Sequence, residues 1–244
     1  MDGAAAVAGV AAAPWHRAVA VQPAPRPAVL ALVVLLAAAL VLSPRLWPVT
    51  RHVVTVVHEG AHGVAALLSG RRLAGIRLHS DTSGLTVSVG RRTGPGMVLT
   101  AAAGYLGPAL LGLLAAWLLS RGHAVGTLWL LTALLGLLLA QIRNWFGLWV
   151  VLVCAAVVVG ATWWLPAAAQ TALGALVACV LLLAAPRPVL ELHAARRRGR
   201  APGSDADLLA RLTGLPGVIW VAVFLLANMA ALAVGARWVL DAAV

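Results

Sequence analysis

With 244 residues, 62% of them hydrophobic and 10% charged, this chain has too little polar surface to close around its apolar content in water. It reads as an integral membrane protein with little mass outside the bilayer. The net charge of +11 comes from arginine alone, without one lysine, and the arginines fall between apolar stretches as orienting signals do. That placement argues for anionic lipid and against nucleic acid as the partner.

In chain order, residues 1–27 are rich in Ala, Pro and Val and lack a basic region before an apolar core. They read as a flexible tail and not as a signal peptide. Residues 28–244 are expected to form one integral-membrane domain. At about 20 residues per crossing, seven helical spans are predicted, at 28–43, 49–69, 97–119, 125–142, 145–165, 167–185 and 217–240. Six result if the first is a surface helix. The fold class is therefore an all-α polytopic membrane protein with one short β-hairpin after the second span. The hairpin is read from Ile76-Arg77-Leu78-His79 and Leu85-Thr86-Val87-Ser88-Val89, which alternate apolar and polar residues around a turn-rich 80–84. A loop at 187–215 carries Arg196-Arg197-Arg198-Gly199-Arg200, then a short helix opening at the N-cap Ser204 and stopped by Gly214 and Pro216.

Orientation follows from the arginines. Arg71, Arg72, Arg77, Arg91, Arg92, Arg143, Arg187, the 196–200 run and Arg211 fall in alternate loops, against Arg45, Arg51 and Arg121 in the others. The asymmetry predicts a cytoplasmic N-terminus and a cytoplasmic loop 187–215. Trp47, Trp117, Trp163, Trp164 and Trp238 stand near span ends, as interfacial anchors do. Cys154 and Cys179 lie in apolar segments without metal spacing and read as small buried side chains.

The second span carries His58-Glu59-Gly60-Ala61-His62. Two imidazoles four residues apart share one helix face, about one turn apart, which suits two ligands of one zinc ion. Glu59 is rotated by ~60–100° from them. It reaches a metal-activated water without ligating the metal, which is the HExxH arrangement. Ionisable groups at bilayer depth are costly unless something uses them, which favours function over a solvated helix face. Gly104, Pro108 and Gly112 recur at four-residue spacing, which lets helices approach closely; the HExxH helix, with Gly60 and Gly63, is the expected neighbour.

Three stretches join this motif in carrying a resemblance: residues 61–70 after the first ligand, residues 103–112, and Ser204-Asp205-Ala206. Together they resemble the site-2-protease-like intramembrane zinc metalloproteases, and within them the compact bacterial family-50 "B-type" metallopeptidases. The resemblance covers most of 51–216. It implies His58 and His62 as zinc ligands, Glu59 as catalytic base, a third acidic ligand far along the chain, a membrane-anchored protein substrate and a bacterial plasma membrane. Better-known members carry that acid in an Asn…Pro…Asp-Gly motif, which this chain lacks.

The third ligand is therefore sought among the remaining acids and imidazoles. Asp205 ranks first, Asp207 second, then His79 or Asp81; the competing role for Asp205 is helix capping. Asp205 must dip toward a histidine ~18 Å from the helix end at 1.5 Å per residue. Asn144, at a span end, is a candidate oxyanion donor, with an interfacial polar role as the alternative. Thr86 and Ser88 mark a strand that could hold an unwound substrate by strand addition. Asn228 reads as an interhelical hydrogen bond and Tyr105 as a packing residue. The competing functional classes are a non-catalytic membrane protein retaining a structural or partner-binding metal site, and a transporter. The latter expects further charges within the spans, and these are almost absent.

Overall fold

The computed structural model describes His16 and residues 19–242, so most of the 1–27 tail lies outside the described residues. The described part is mostly helical, with one antiparallel hairpin. Helix α1 (Pro27–Leu42) starts with proline in its first turn, where a missing N–H costs nothing, and stops at Ser43-Pro44. The chain bends by 94° into α2 (Trp47–Leu68), which carries the HExxH motif. Strands β1 (Arg72–Leu78) and β2 (Gly84–Val89) follow. Then come α3 (Pro95–Ser120), α4 (Ala124–Gln141), α5 (Trp145–Trp164) and α6 (Ala167–Ala184). The chain closes with α7 (Pro186–Arg197), the short α8 (Asp205–Thr213) and α9 (Gly217–Asp241).

Among the described residues, five helical stretches are long and apolar enough to cross a membrane, or six if the bent α1–α2 pair counts as one span, where seven were expected. The difference lies in the first two. Helix α1 has 16 residues, and α2 mixes Thr50, Arg51, His52, His58, Glu59 and His62 into its apolar face. The expected loop at 187–215 also differs: residues 167–197 run as one helical span, because Pro186 and Pro188 fall in the first turn of α7, where proline is tolerated.

The hairpin forms where its alternation predicts it, and β1 begins earlier, at Arg72. Pairing runs from Arg72↔Val89 to Leu78↔Gly84, with a bulge between Leu73 and Gly75. Its turn closes through His79 N–H to Ser83 C=O (2.9 Å) and Ser83 N–H to the Asp81 carboxylate (2.9 Å). The outer edge of β1 is covered: Ile76 bridges Ile142, and Arg143 N–H donates to Ile76 C=O. No other strand among the described residues pairs with the outer edge of β2.

Helix α3 is the hub, packed on α2, α6, α8 and α9. Its small residues divide by partner. Gly107 lies against Ala61 of α2, and Gly104 against the two motif histidines. Gly112 instead faces α6, where an added Cβ would lie 3.0 Å from Leu182 Cγ. The expected partners on α2 also shift. Gly63 packs on Leu73 and Ile76 of β1, and a Cβ at Gly60 would meet nothing within 4 Å. Ala61 is the residue that sets the α2–α3 approach. Fully buried Asn228 of α9 donates to Ala185 C=O (2.9 Å) and Tyr105 C=O (3.2 Å), tying three helices together as an interhelical bond should.

Candidate metal centre

His58 and His62 sit one turn apart on α2, and their Nε2 atoms come within 3.1 Å of each other. Asp205, the first residue of α8, points its carboxylate at the same spot: Oδ2 is 3.3 Å from His58 Nε2 and 3.3 Å from His62 Nε2. Each of the three residues offers one ligand atom, and all three atoms lie within 4.8 Å of one another. Two imidazole nitrogens and one carboxylate oxygen are the kind of donor set that three-ligand zinc sites use, with a fourth position open. Two further features fit a metal. The Nδ1 of His62 is 2.7 Å from Thr100 C=O; a carbonyl only accepts, so Nδ1 carries a proton and Nε2, once deprotonated, is the atom left to ligate a metal. The backbone of Gly104 forms the floor, where a Cβ would collide with His62 Nε2 and stand 2.5 Å from His58 Nε2.

The short α8 reaches the histidines because its apolar residues are anchored beside them. Ala206 and Leu209 are completely buried in a cluster with Val189 and Leu192 of α7, Ala101 and Ala102 of α3, and Val221 and Phe224 of α9. Asp205 therefore approaches from a helix packed against α3, α7 and α9. Burial alone would raise the Asp205 pKa; hydrogen bonds and positive charge from His58 and His62 outweigh it and hold the carboxyl below the usual range. Asp207, the alternative ligand, is turned away from the histidines onto Arg196, whose hydrogen bond keeps its pKa low as well.

Glu59 is 5% exposed and lies between α2 and the hairpin. The Thr86 hydroxyl, one proton to give, stands 2.6 Å from Glu59 Oε2 and 3.0 Å from Glu59 C=O. Gly84 lies so close that a Cβ there would be 2.5 Å from Oε1. The hairpin thus fixes the carboxylate from two sides. A cavity of about 230 Å³ opens beside it, lined among others by Arg51, His58, Glu59, Gly104, Tyr105 and Pro108. Tyr105 does pack, edge-on to the His58 ring (4.8 Å between centroids) and stacked on Phe224. Pro108 has no N–H to give to the Gly104 carbonyl, so that helical bond is missing at the cavity wall.

The structure also places the other candidate site residues. The Asn144 Nδ2 donates to Leu78 C=O (2.6 Å) and its Oδ1 accepts from Leu78 N–H (3.2 Å). The side chain pairs with the β1 backbone as a surrogate strand. Thr86 contacts the glutamate, and Ser88 Oγ accepts from Arg71 Nε (3.1 Å); neither side chain is spread on an open substrate surface. Thr100, Gly84 and Arg51 were not singled out in the sequence as residues of the site. Their proximity is tertiary, and a threonine, a turn glycine and a flanking arginine carry no local signature of it.

A helical membrane protein with a half-buried His-His-Asp cluster and an adjacent buried carboxylate belongs, by architecture and site, with membrane-embedded metalloenzymes. The family model described as Peptidase M50B-like matches residues 31–235, and the chain belongs to that family. Membership indicates a metallopeptidase of the integral membrane class. No curated protein matches the chain, and no solved structure does.

Proposed function

We propose that the protein is a zinc-dependent intramembrane endopeptidase acting on a membrane-anchored protein segment, with His58, His62 and Asp205 as metal ligands and Glu59 as general base. The observation that carries this reading is the convergence of one ligand atom each from His58, His62 and Asp205 within 4.8 Å of one another, with His58 and Glu59 lining the cavity alongside. A zinc ion held there would supply Lewis acidity toward a water molecule and toward the peptide carbonyl.

The remaining chemistry belongs to the chain. Glu59, buried and held at Oε2 by Thr86, keeps Oε1 to take a proton from water and return it to the leaving amine. Thr100 fixes the tautomer of His62, and the bare backbone of Gly104 leaves both imidazoles room to converge. A helical substrate must unwind before its carbonyls can be attacked, and the unpaired outer edge of β2 supports strand addition as the way it is held. That role uses backbone groups, which is why the inward-facing Thr86 and Ser88 side chains need not touch substrate.

The arginine asymmetry supports a cytoplasmic hairpin and a cytoplasmic 196–200 run, with four crossings between them (α3, α4, α5 and the joined α6–α7). A cytoplasmic N-terminus then requires α1 and α2 to cross separately. Cysteine at Val87, an exposed β2 position, tests both the sidedness and the strand. It should react with an impermeant thiol reagent only from the cytoplasmic face, and should form a disulfide with a cysteine flanking the scissile bond of a substrate. Labelling from the outer face, or no cross-link to a cleaved substrate, would count against these assignments.

The metal reading is tested by zinc content of detergent-purified protein beside His62→Ala and Asp205→Ala. About one zinc per wild-type chain, washed out of both variants during purification because the two remaining ligands bind it weakly, is expected from a three-ligand site. No zinc in the wild type under non-chelating conditions would sink the enzyme reading. Zinc lost only in His62→Ala would keep the metal and reject Asp205.

A further inference from the structure

We propose that Arg196 is the positioning residue of the metal centre: by clamping the first turn of α8 from behind, it aims Asp205, and only Asp205, at the two histidines. This rests on the zinc-peptidase reading above.

Helix α8 has nine residues, too few to be stable alone, so outside contacts must set its position and its rotation about its own axis. Three successive residues of its first turn have three different partners. Asp205 meets His58 and His62. Ala206 is completely buried in the core shared with α3, α7 and α9. Asp207 meets the Arg196 guanidinium, which reaches across from the last turn of α7 and also donates to Ser204 Oγ at 3.0 Å. Residues two apart on a helix point ~200° apart. A pull on Asp207 toward Arg196 therefore turns Asp205 the opposite way, toward the histidines. Ser204 and Asp207 bracket Asp205, so one guanidinium nitrogen, Nη1, holds the turn on both sides of the ligand.

Two further features fit a built clamp. Gly217, at the start of α9, lies where a Cβ would strike Arg196 NH2, so the guanidinium occupies a seat that only glycine leaves open. Helix α7 ends just after Arg196 with Gly199 at φ +67 and with Arg200 N–H bonded to Ala195 C=O, which reverses the chain and leaves the arginine side chain facing α8. The clamp also answers a selectivity problem. Two carboxylates stand in one helical turn; pairing Asp207 with a cation leaves a single acid for the metal. Of the basic run at 196–200, the first arginine thus has a role beyond orienting the chain in the membrane.

The test is a double-mutant cycle on zinc affinity, measured by competition with a chromophoric chelator on purified protein. Arg196→Ala should weaken zinc about 10–100-fold, the range for residues that orient metal ligands. Arg196→Ala with Asp205→Ala should bind no more weakly than Asp205→Ala alone, because the clamp acts through that ligand. Arg196→Lys should recover only part of the loss, and the cobalt-substituted Arg196→Ala protein should show the altered visible bands of a site short of one ligand. If Arg196→Ala misfolds, Asp207→Asn releases the same clamp from the other side and should enter the same cycle. Wild-type affinity in both Arg196→Ala and Asp207→Asn, or losses that add to that of Asp205→Ala, would overturn the clamp while leaving the zinc reading intact. A wild type without zinc would overturn both.

Discussion

Glu59→Gln should retain its zinc and lose its peptidase activity, by roughly 10²–10⁴-fold or more, the contribution expected of a positioned general acid–base group. The amide is nearly isosteric and keeps an oxygen that accepts the Thr86 hydrogen bond at Oε2, so the hairpin contact survives. What it loses is the ability to take a proton at the side facing Gly84 and the cavity. Glu59 is not one of the three clustered ligand residues, so zinc stoichiometry should stay at the wild-type value. Parallel measurement of zinc and of substrate cleavage in the same preparation checks this. A variant that cleaves at the wild-type rate would remove Glu59 from the chemistry; one that loses zinc as well would make it part of the metal shell.

Gly104→Ala should disable the metal centre without touching any ligand. Its methyl would stand 2.5 Å from His58 Nε2 and 2.6 Å from His58 Cε1, and would also strike His62 Nε2. Both rings must move, or α3 must back away from α2. The second route is resisted by the Gly107–Ala61 contact one turn on, and by Asn228, which ties the Tyr105 carbonyl to α9. We expect zinc affinity to fall by at least about 100-fold, on the scale of lost ligand orientation. Far-UV circular dichroism should stay unchanged, since alanine is a better helix former than glycine. Chelator competition on Gly104→Ala beside Gly60→Ala checks it, because a Cβ at Gly60 meets nothing within 4 Å and should leave affinity at the wild-type value. Equal affinities in the two variants would show that the rings are not held as described.

What the sequence by itself determined was local. The apolar runs, the hairpin alternation and the four-residue spacing of His58 and His62 rest on periodicity, which the chain carries in its order. Family membership was legible for the same reason, as an ordered set of short motifs between 51 and 216. Helix α8 was legible from its N-cap Ser204 and its stop at Gly214, which has φ +74. The 94° bend between α1 and α2 was not legible, because length and apolarity carry no signal of it.

Only the tertiary structure decided which acid joins the histidines. The sequence ranked Asp205 ahead of Asp207, but both lie in the first turn of one helix, so periodicity alone could not separate them. Their separation comes from rotation of α8, set by Ala206 and Leu209 in the core and by Arg196 on α7. The same holds for Asn144, whose amide is drawn away to Leu78 by the approach of β1 to the α4–α5 junction, and for Gly112, claimed by α6 instead of α2. These are choices among neighbours far apart in the chain. They depend on which faces pack together, and residue order along a single helix does not contain that information.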